Sequence, residues 1–122
     1  MTKLSEFSVR TGGTTDWINI TGDVQKAVAA SGVREGICVV FVPHTTAAVT
    51  INENADPDVP HDVNLSLNII SPDRREFQHS EGNSAAHTKS SLVGPSLTVI
   101  VTNGRLLLGK WQGTKNKLRR LS

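Results

Sequence analysis

Gly36-Ile37-Cys38-Val39-Val40-Phe41-Val42 is the stretch that decides the predicted fold, because it is rich in β-branched residues and ends at Pro43. A continuous apolar run of this length is typical of a strand that is covered on both faces. The run from Ala47 to Ile51, which follows the break at Pro43, is predicted to be its neighbour. The core is therefore expected to include a sheet.

Further strands are predicted on both sides of this sheet. Ser5 to Arg10 alternates apolar and polar residues, and a short apolar run from Trp17 to Ile20 follows a pair of glycines. Near the other end, Leu97 to Val101 and Arg105 to Leu108 are separated by Asn103-Gly104. That dipeptide favours a type I′ hairpin.

Three helices are predicted between these strands. The first is expected to begin at Thr21, whose hydroxyl can cap it, and to end at Gly32. The second opens at Asp56-Pro57, and Asn83 opens a short third helix. On the second helix, apolar residues recur every three to four positions and predict a buried stripe, formed by Val59, Val63, Leu67 and Ile70. The pattern predicts an α+β fold, with residues 1–122 as a single domain.

Composition excludes several classes of function. Lys and Arg number 13 against 11 Asp and Glu, a net charge of +2, so no polyanionic partner is indicated. Nucleic-acid binding ranks last, because the basic C-terminal segment lacks interleaved aromatic residues. One cysteine cannot form an internal disulfide. No segment approaches the ~20 apolar residues that cross a bilayer, so we expect a cytoplasmic protein without a membrane partner.

Three of the four histidines lie beside small or hydroxylated residues at the ends of predicted elements, where side chains can converge on a pocket. These are His44, His79 and His87. Three neutral imidazoles can bind zinc and leave an open position, so they are candidate ligands of a divalent metal ion, zinc or magnesium. Their spacing matches no compact zinc motif, however. The alternative is a set of histidines that are hydrogen-bonded in a substrate pocket or that cap loops.

Glu53 is the candidate general acid or base, with His79 and His87 as further catalytic candidates. It lies where a predicted strand gives way to the second helix, and it has no capping role. A surface carboxylate is the alternative interpretation. Asp56, by contrast, is explained by capping the helix that follows it. His61 lies off the apolar stripe and is predicted to be exposed.

A further group of side chains is suited to binding phosphate, amide or aromatic groups of a substrate. These candidate substrate-binding residues are Thr45, Thr46, Asn83, Lys89, Ser90, Trp111 and Gln112. No Walker-type glycine loop is present, so phosphate would have to be bound by scattered groups. Trp111 can stack on a ring, but it is equally suited to the core or to a subunit interface.

Motifs over about two-thirds of the chain resemble the YjbQ-like family, a group of small proteins also described as secondary thiamine-phosphate synthases. The resemblance rests on His44-Thr45-Thr46, Thr50 to Asp58, His79 with Glu81-Gly82-Asn83, Ala86-His87 with Lys89-Ser90-Ser91, Gly94-Pro95-Ser96, and Gly104-Arg105-Leu106 leading to Gly109-Lys110-Trp111-Gln112-Gly113.

The resemblance implies a single compact α+β domain with a β-sandwich core, assembled as a homotrimer. It also implies that the three histidines occur together in a cleft near a subunit boundary. The implied activity is a weak thiamine-phosphate synthase, a transferase that joins a pyrimidine-methyl diphosphate to a thiazole phosphate with loss of pyrophosphate. Family members commonly continue after the Trp-Gln-Gly motif with another strand. Residues 114–122 lack that apolar pattern, so the sequence pattern does not itself predict the last strand, and its presence stays open.

Two alternative functions remain open from the sequence. One is a metal-dependent hydrolase or lyase in which three histidines hold a zinc ion and Glu53 takes a proton from bound water. The other is a non-catalytic trimeric module that binds a small phosphorylated or heterocyclic metabolite.

Overall fold

The computed structural model describes residues 3–12 and 15–112, together with the backbone of residues 117–121. The elements follow in the order β1 (Thr15–Asn19), α1 (Thr21–Ser31), β2 (Gly36–Phe41), β3 (Ala47–Thr50), α2 (Asp58–Ile70), α3 (Ser84–Val93), β4 (Ser96–Thr102), β5 (Arg105–Leu106) and β6 (Lys117–Leu121). In these residues no helix is long and apolar enough to cross a membrane.

The strands form two antiparallel sheets, one in the order β1-β6-β3 and the other in the order β2-β4-β5. A cluster of Ile20, Val24 and Val49 is buried between them, and side chains from both sheets pack against it. Among these are Cys38 and Val40 of β2. The predicted α+β fold with a β-sandwich core is therefore confirmed.

Helices α2 and α3 cover the other face of the β1-β6-β3 sheet. Successive residues of a strand point to opposite faces, so Ala48 faces these helices while Val49 faces the core between the sheets. Ala48 has no exposed surface and packs with Leu67 of α2 and Ala86 of α3. Because the side chains of Ala48 and Ala86 are small, α3 packs close to the sheet. The α2–α3 pair and the two sheets form three layers.

The predicted type I′ hairpin is confirmed. Asn103 and Gly104 have φ angles of 53° and 72°, the left-handed values that this turn requires at both central positions. The side chain of Gln25 on α1 donates to the carbonyl of Gly104 (3.0 Å) and accepts from the N–H of Leu106 (3.1 Å). The turn is thus anchored to the first helix.

The predicted helices are present, with differences at their caps. Gly32 ends α1 in the left-handed conformation, with a φ of 73°, as expected. Thr21 is the first residue of α1 and does not cap it; the N-cap position is Ile20, and the side chain of Asn19 accepts a hydrogen bond from the N–H of Thr21 (3.1 Å). Asp56 accepts from the N–H of Asp58 (2.9 Å), in agreement with its predicted structural role. Ile70 is 64% exposed, because the buried stripe of α2 ends one turn earlier, at Leu67.

Two strand predictions are wrong. Residues 5–10 form no strand. Val9 is the one residue of that segment that packs against the core, so the alternation of apolar and polar residues there does not indicate a buried strand face. Strand β3 pairs with β6 and lies in the opposite sheet from β2. The chain therefore crosses from one sheet to the other at Pro43, and Val40 and Val49 meet across the core.

A last strand, which the sequence pattern left open, is present. The backbone of Lys117–Leu121 forms β6 between β1 and β3, and it pairs with both neighbours. A strand in this central position is held by backbone hydrogen bonds on both edges, which every residue other than proline can make. Its sequence therefore needs no strong apolar pattern.

The β2 strand, which was predicted to be covered on both faces, is covered on one. Cys38 and Val40 face the core. The alternate residues Ile37, Val39 and Phe41 are exposed to 67%, 61% and 63% in the single chain. The outer face of the β2-β4-β5 sheet is therefore apolar and open.

Candidate functional site

His79 and His87 are brought together at the start of α3. Their ring centroids lie 5.2 Å apart and the rings meet edge to face, at 85°. A turn positions His79, because the N–H of Gly82 donates to the His79 carbonyl (3.1 Å) and Gly82 has a φ of 73°, which favours glycine. His87 lies one turn into the helix, so the two imidazoles form one pair on the surface.

His44 is held separately by its own loop. The N–H of Thr46 donates to Nδ1 of His44 (3.1 Å), and the Thr46 hydroxyl lies 3.2 Å from the same nitrogen. An amide N–H can only donate, so Nδ1 is the acceptor and the neutral ring carries its proton on Nε2. Thr46 is buried and fixes the ring of His44, which is exposed. In this tautomer His44 is a hydrogen-bond donor.

A polar cavity of about 370 Å³, here called the Lys89 cavity, lies between the end of α2 and the start of α3. Its polar lining includes Thr15, Asn68, Ser71, Asp73, Asn83 and Lys89. The ammonium group of Lys89 donates to Oδ1 of Asn68 (2.5 Å). Oδ1 of Asn83 is buried without a hydrogen-bond partner among the described residues. Ala85 and Ala86, in the first turn of α3, also line the cavity, and the N-terminal end of a helix adds positive potential here.

A second, mainly apolar cavity of about 300 Å³, here called the Glu53 cavity, lies at the other end of these helices. Glu53 is the one ionisable residue among the described residues that line it. The neighbouring Asn54 donates from its N–H to the carbonyl of Trp111 (3.4 Å), which brings the Trp111 turn beside the Glu53 loop. Trp111 itself is 62% exposed, with Nζ of Lys110 5.3 Å from its ring centroid.

Comparison with known proteins identifies the family. Residues 5–115 match the model of the UPF0047 protein YjbQ-like family. The chain belongs to the YjbQ-like family. It is 48% identical over 110 residues to the UPF0047 protein MJ1081 of Methanocaldococcus jannaschii, covering 90% of this chain and 80% of the relative. It is 46% identical over 111 residues to the UPF0047 protein YugU of Bacillus subtilis, covering 90% of this chain and 84% of that protein.

Solved structures agree with this assignment. The crystal structure of a YjbQ/UPF0047 family protein from Clostridium acetobutylicum superposes with a TM-score of 0.92 at 46% identity, over 98% of this chain and 91% of that one. A YbjQ-like protein of unknown function from Sulfolobus solfataricus superposes with a TM-score of 0.82 at 26% identity, over 93% and 80% of the two chains. The names of these proteins state a family and no reaction.

A single YjbQ-like chain does not gather the predicted residues into one cleft. No group of three His, Cys, Asp or Glu side chains that could hold a metal ion occurs in the part of the chain that the structure describes. Within one chain, His44 therefore does not complete a three-ligand group with the His79–His87 pair. His87 and Lys89 are two residues apart on a helix, about 200° around its axis, so they lie on opposite sides.

Two of the predicted substrate-binding residues have structural roles in this YjbQ-like fold. Ser90 is buried, and its hydroxyl donates to the Ala47 carbonyl (2.7 Å), which joins α3 to β3. Thr46 is buried and holds His44. Thr45 is exposed beside it, and the side chain of Gln112 accepts from the N–H of Gly109. These contacts leave Asn83 and Lys89 as the predicted pair that shares a cavity.

Sequence reasoning missed several residues that line the two cavities. Trp17 lies in the Glu53 cavity, and Asn68 and Asp73 lie in the Lys89 cavity. None of the three belongs to the polar motifs, and an isolated amide or carboxylate near the end of a helix carries no distinguishing signal. Cys38 is not a candidate nucleophile, because burial raises the pKa of its thiol.

Proposed function

We propose that this protein binds a small phosphorylated heterocycle in the Lys89 cavity and has a weak thiamine-phosphate synthase activity. The observation that carries the proposal is that Lys89, Asn83 and two residues of the first turn of α3, Ala85 and Ala86, line one cavity of about 370 Å³. An ammonium group and free amide N–H groups bind phosphate oxygens. The buried Oδ1 of Asn83 can accept from an N–H group on a heterocycle.

The proposed reaction requires stabilisation of a leaving diphosphate. The C–O bond between the pyrimidine methylene and the diphosphate breaks, the thiazole nitrogen forms a C–N bond to the methylene carbon, and pyrophosphate leaves with the electron pair. Lys89 and the α3 amides would stabilise the charge that develops on that leaving group. Lys89 is the one basic residue among the described residues lining this cavity, and this fits a slow activity.

The Lys89→Met variant tests this function. It should bind inorganic pyrophosphate about tenfold more weakly than the wild type, because one charged hydrogen bond is lost. The rate of thiamine phosphate formation, measured by chromatography, should fall by a similar factor. Lys26→Met is the matched control, since Lys26 is exposed on α1 outside both cavities.

The outcomes separate the parts of the proposal. Equal pyrophosphate affinity in the wild type and in both variants would reject the Lys89 cavity as a phosphate site. Pyrophosphate binding without product formation would reject the synthase activity and retain a non-catalytic metabolite-binding module.

We also propose that a second copy of the chain covers the open face of the β2-β4-β5 sheet, as the homotrimer implied by the resemblance requires. Ile37 lies opposite Ile100, and Val39 and Phe41 continue the same face. A contiguous exposed apolar patch of this kind is typical of an interaction surface. His44 follows β2 directly, so it would lie at a subunit boundary.

A metal-dependent hydrolase or lyase is favoured by one observation, the His79–His87 pair. Two imidazoles can contribute to a zinc site, but the described residues of one chain supply no third ligand. The remaining ligands would have to come from a neighbouring copy or from residues outside the described ranges.

A further inference from the structure

Among the residues that the structure describes, the lining of the Glu53 cavity combines apolar walls with a single negative charge. Val59, Val63 and Leu67 of α2 and Leu92 of α3 form much of its wall, and its volume of about 300 Å³ is at the lower end for a small-ligand site. Glu53 is partly buried and is the one ionisable residue among the described residues that line it. A ligand for this cavity therefore needs an apolar body.

The carboxylate of Glu53 has no hydrogen bond or ion pair with the described residues. Its backbone N–H donates to Oδ1 of Asn52 (2.7 Å), which fixes the loop and leaves the carboxylate available. A carboxylate beside apolar walls loses part of its hydration, and a positively charged partner compensates for that loss.

We propose that the Glu53 cavity binds a small organic cation, an ammonium group attached to a hydrocarbon ring or chain. The apolar body contacts the valine and leucine side chains, and the ammonium group pairs with Glu53. This site is separate from the Lys89 cavity, so it does not depend on the proposed synthase function. Neutral analogues lack the ion pair, and anionic analogues are repelled by the carboxylate.

The test uses three probes that share one ring: benzylammonium, benzyl alcohol and benzoate. Binding is followed by NMR of the methyl groups of Val59, Val63 and Leu92 in the full chain. Benzylammonium should shift these methyl signals and bind about tenfold more tightly than benzyl alcohol, and benzoate should bind more weakly than either.

Glu53→Gln separates charge from shape. This variant should bind benzylammonium about tenfold more weakly, with no change for benzyl alcohol, and other methyl signals should confirm that it is folded. Glu81→Gln, which removes an exposed carboxylate outside the cavity, is the matched control and should bind like the wild type.

The proposal is overturned if benzylammonium leaves the cavity methyl signals unchanged, or if Glu53→Gln binds it as tightly as the wild type. Pyrophosphate binding should be the same in the wild type and in Glu53→Gln. Failure of this proposal is thereby distinguished from failure of the phosphate site.

Discussion

Glu35 shows how one exposed carboxylate stabilises a turn that is distant in sequence. The N–H of Asn103 donates to Oε1 of Glu35 (3.0 Å), and this hydrogen bond is the largest cause of the lowered pKa of Glu35. A side-chain hydrogen bond with Thr102 is the second cause. The nearby charge of Arg34 acts in the same direction. The contact helps to hold Asn103 at a positive φ.

The lowered pKa of Glu35 predicts a pH-dependent contribution to stability. Because the folded pKa of Glu35 lies below its unfolded value, the contribution is complete above the unfolded pKa and is lost as the pH falls through the folded pKa. Glu35→Gln should therefore have a lower free energy of unfolding than the wild type near neutral pH. The difference should shrink in acid, as measured by urea unfolding.

Glu6→Gln is the control for this prediction, since Glu6 is an exposed carboxylate in the N-terminal segment and does not form the Asn103 contact. If both variants show the same change with pH, the Asn103 contact is not the cause.

The sequence predicted individual residues well where their role is local. Asp56 caps a helix opened by the proline that follows it, and Gly32 adopts the left-handed conformation that ends a helix. His61 is exposed and forms its contact with the adjacent Asp62 (3.0 Å). Ser90 is different, because its hydroxyl bonds to Ala47, which is distant in sequence. No local pattern could show that this serine is buried.

At the level of elements, the attachment of α3 to β3 depends on that buried hydrogen bond. The Oγ of Ser90 donates to the Ala47 carbonyl over 2.7 Å, beside the small residues of the Ala48, Leu67 and Ala86 cluster. The Ser90→Ala variant removes the hydroxyl donor, so the carbonyl of Ala47 loses this hydrogen bond.

We expect Ser90→Ala to lower the free energy of unfolding by about 1 to 3 kcal/mol, measured by urea unfolding. Ser91→Ala is a closely matched control on the same helix. The Ser91 hydroxyl donates to the His87 carbonyl in an exposed position (3.0 Å), so its loss should cost less than about 0.5 kcal/mol. An equal loss in the two variants would mean that the Ser90 bond does not attach the helix.

Element pairing was the least predictable level. Strands β2 and β3 follow one another and were expected to be neighbours, yet each pairs in a different sheet. The partner of β3 is β6, whose sequence has no strong strand pattern. Pairing depends on which backbone edges remain free after folding, and that is not encoded in either strand alone.

At the scale of the whole molecule, the open face of the β2-β4-β5 sheet is the surface through which we propose that copies of the chain assemble. Val39 lies in the middle of the edge strand β2, opposite Thr98, and its side chain is exposed on this face. Burial of a charge there without a partner is costly. Val39→Glu should therefore convert the expected trimer into monomers, as measured by light scattering after size-exclusion chromatography.

Ile69→Glu is the control for the assembly, because Ile69 is an exposed apolar residue on α2, outside this sheet. It should leave the trimer intact. A wild-type protein that is monomeric, or a trimer that persists in Val39→Glu, would contradict the assignment of this face as the subunit interface.

The sequence by itself determined the helices, the type I′ hairpin and the residue types of the candidate sites, because capping, turn geometry and apolar periodicity act over a few neighbouring residues. Only the tertiary structure decided that His79 and His87 meet while His44 lies apart, and that Glu53 and Lys89 occupy different cavities. These relations depend on sheet pairing and helix packing between distant segments. Contacts of that kind arise when backbone edges and apolar faces from the whole chain are buried together.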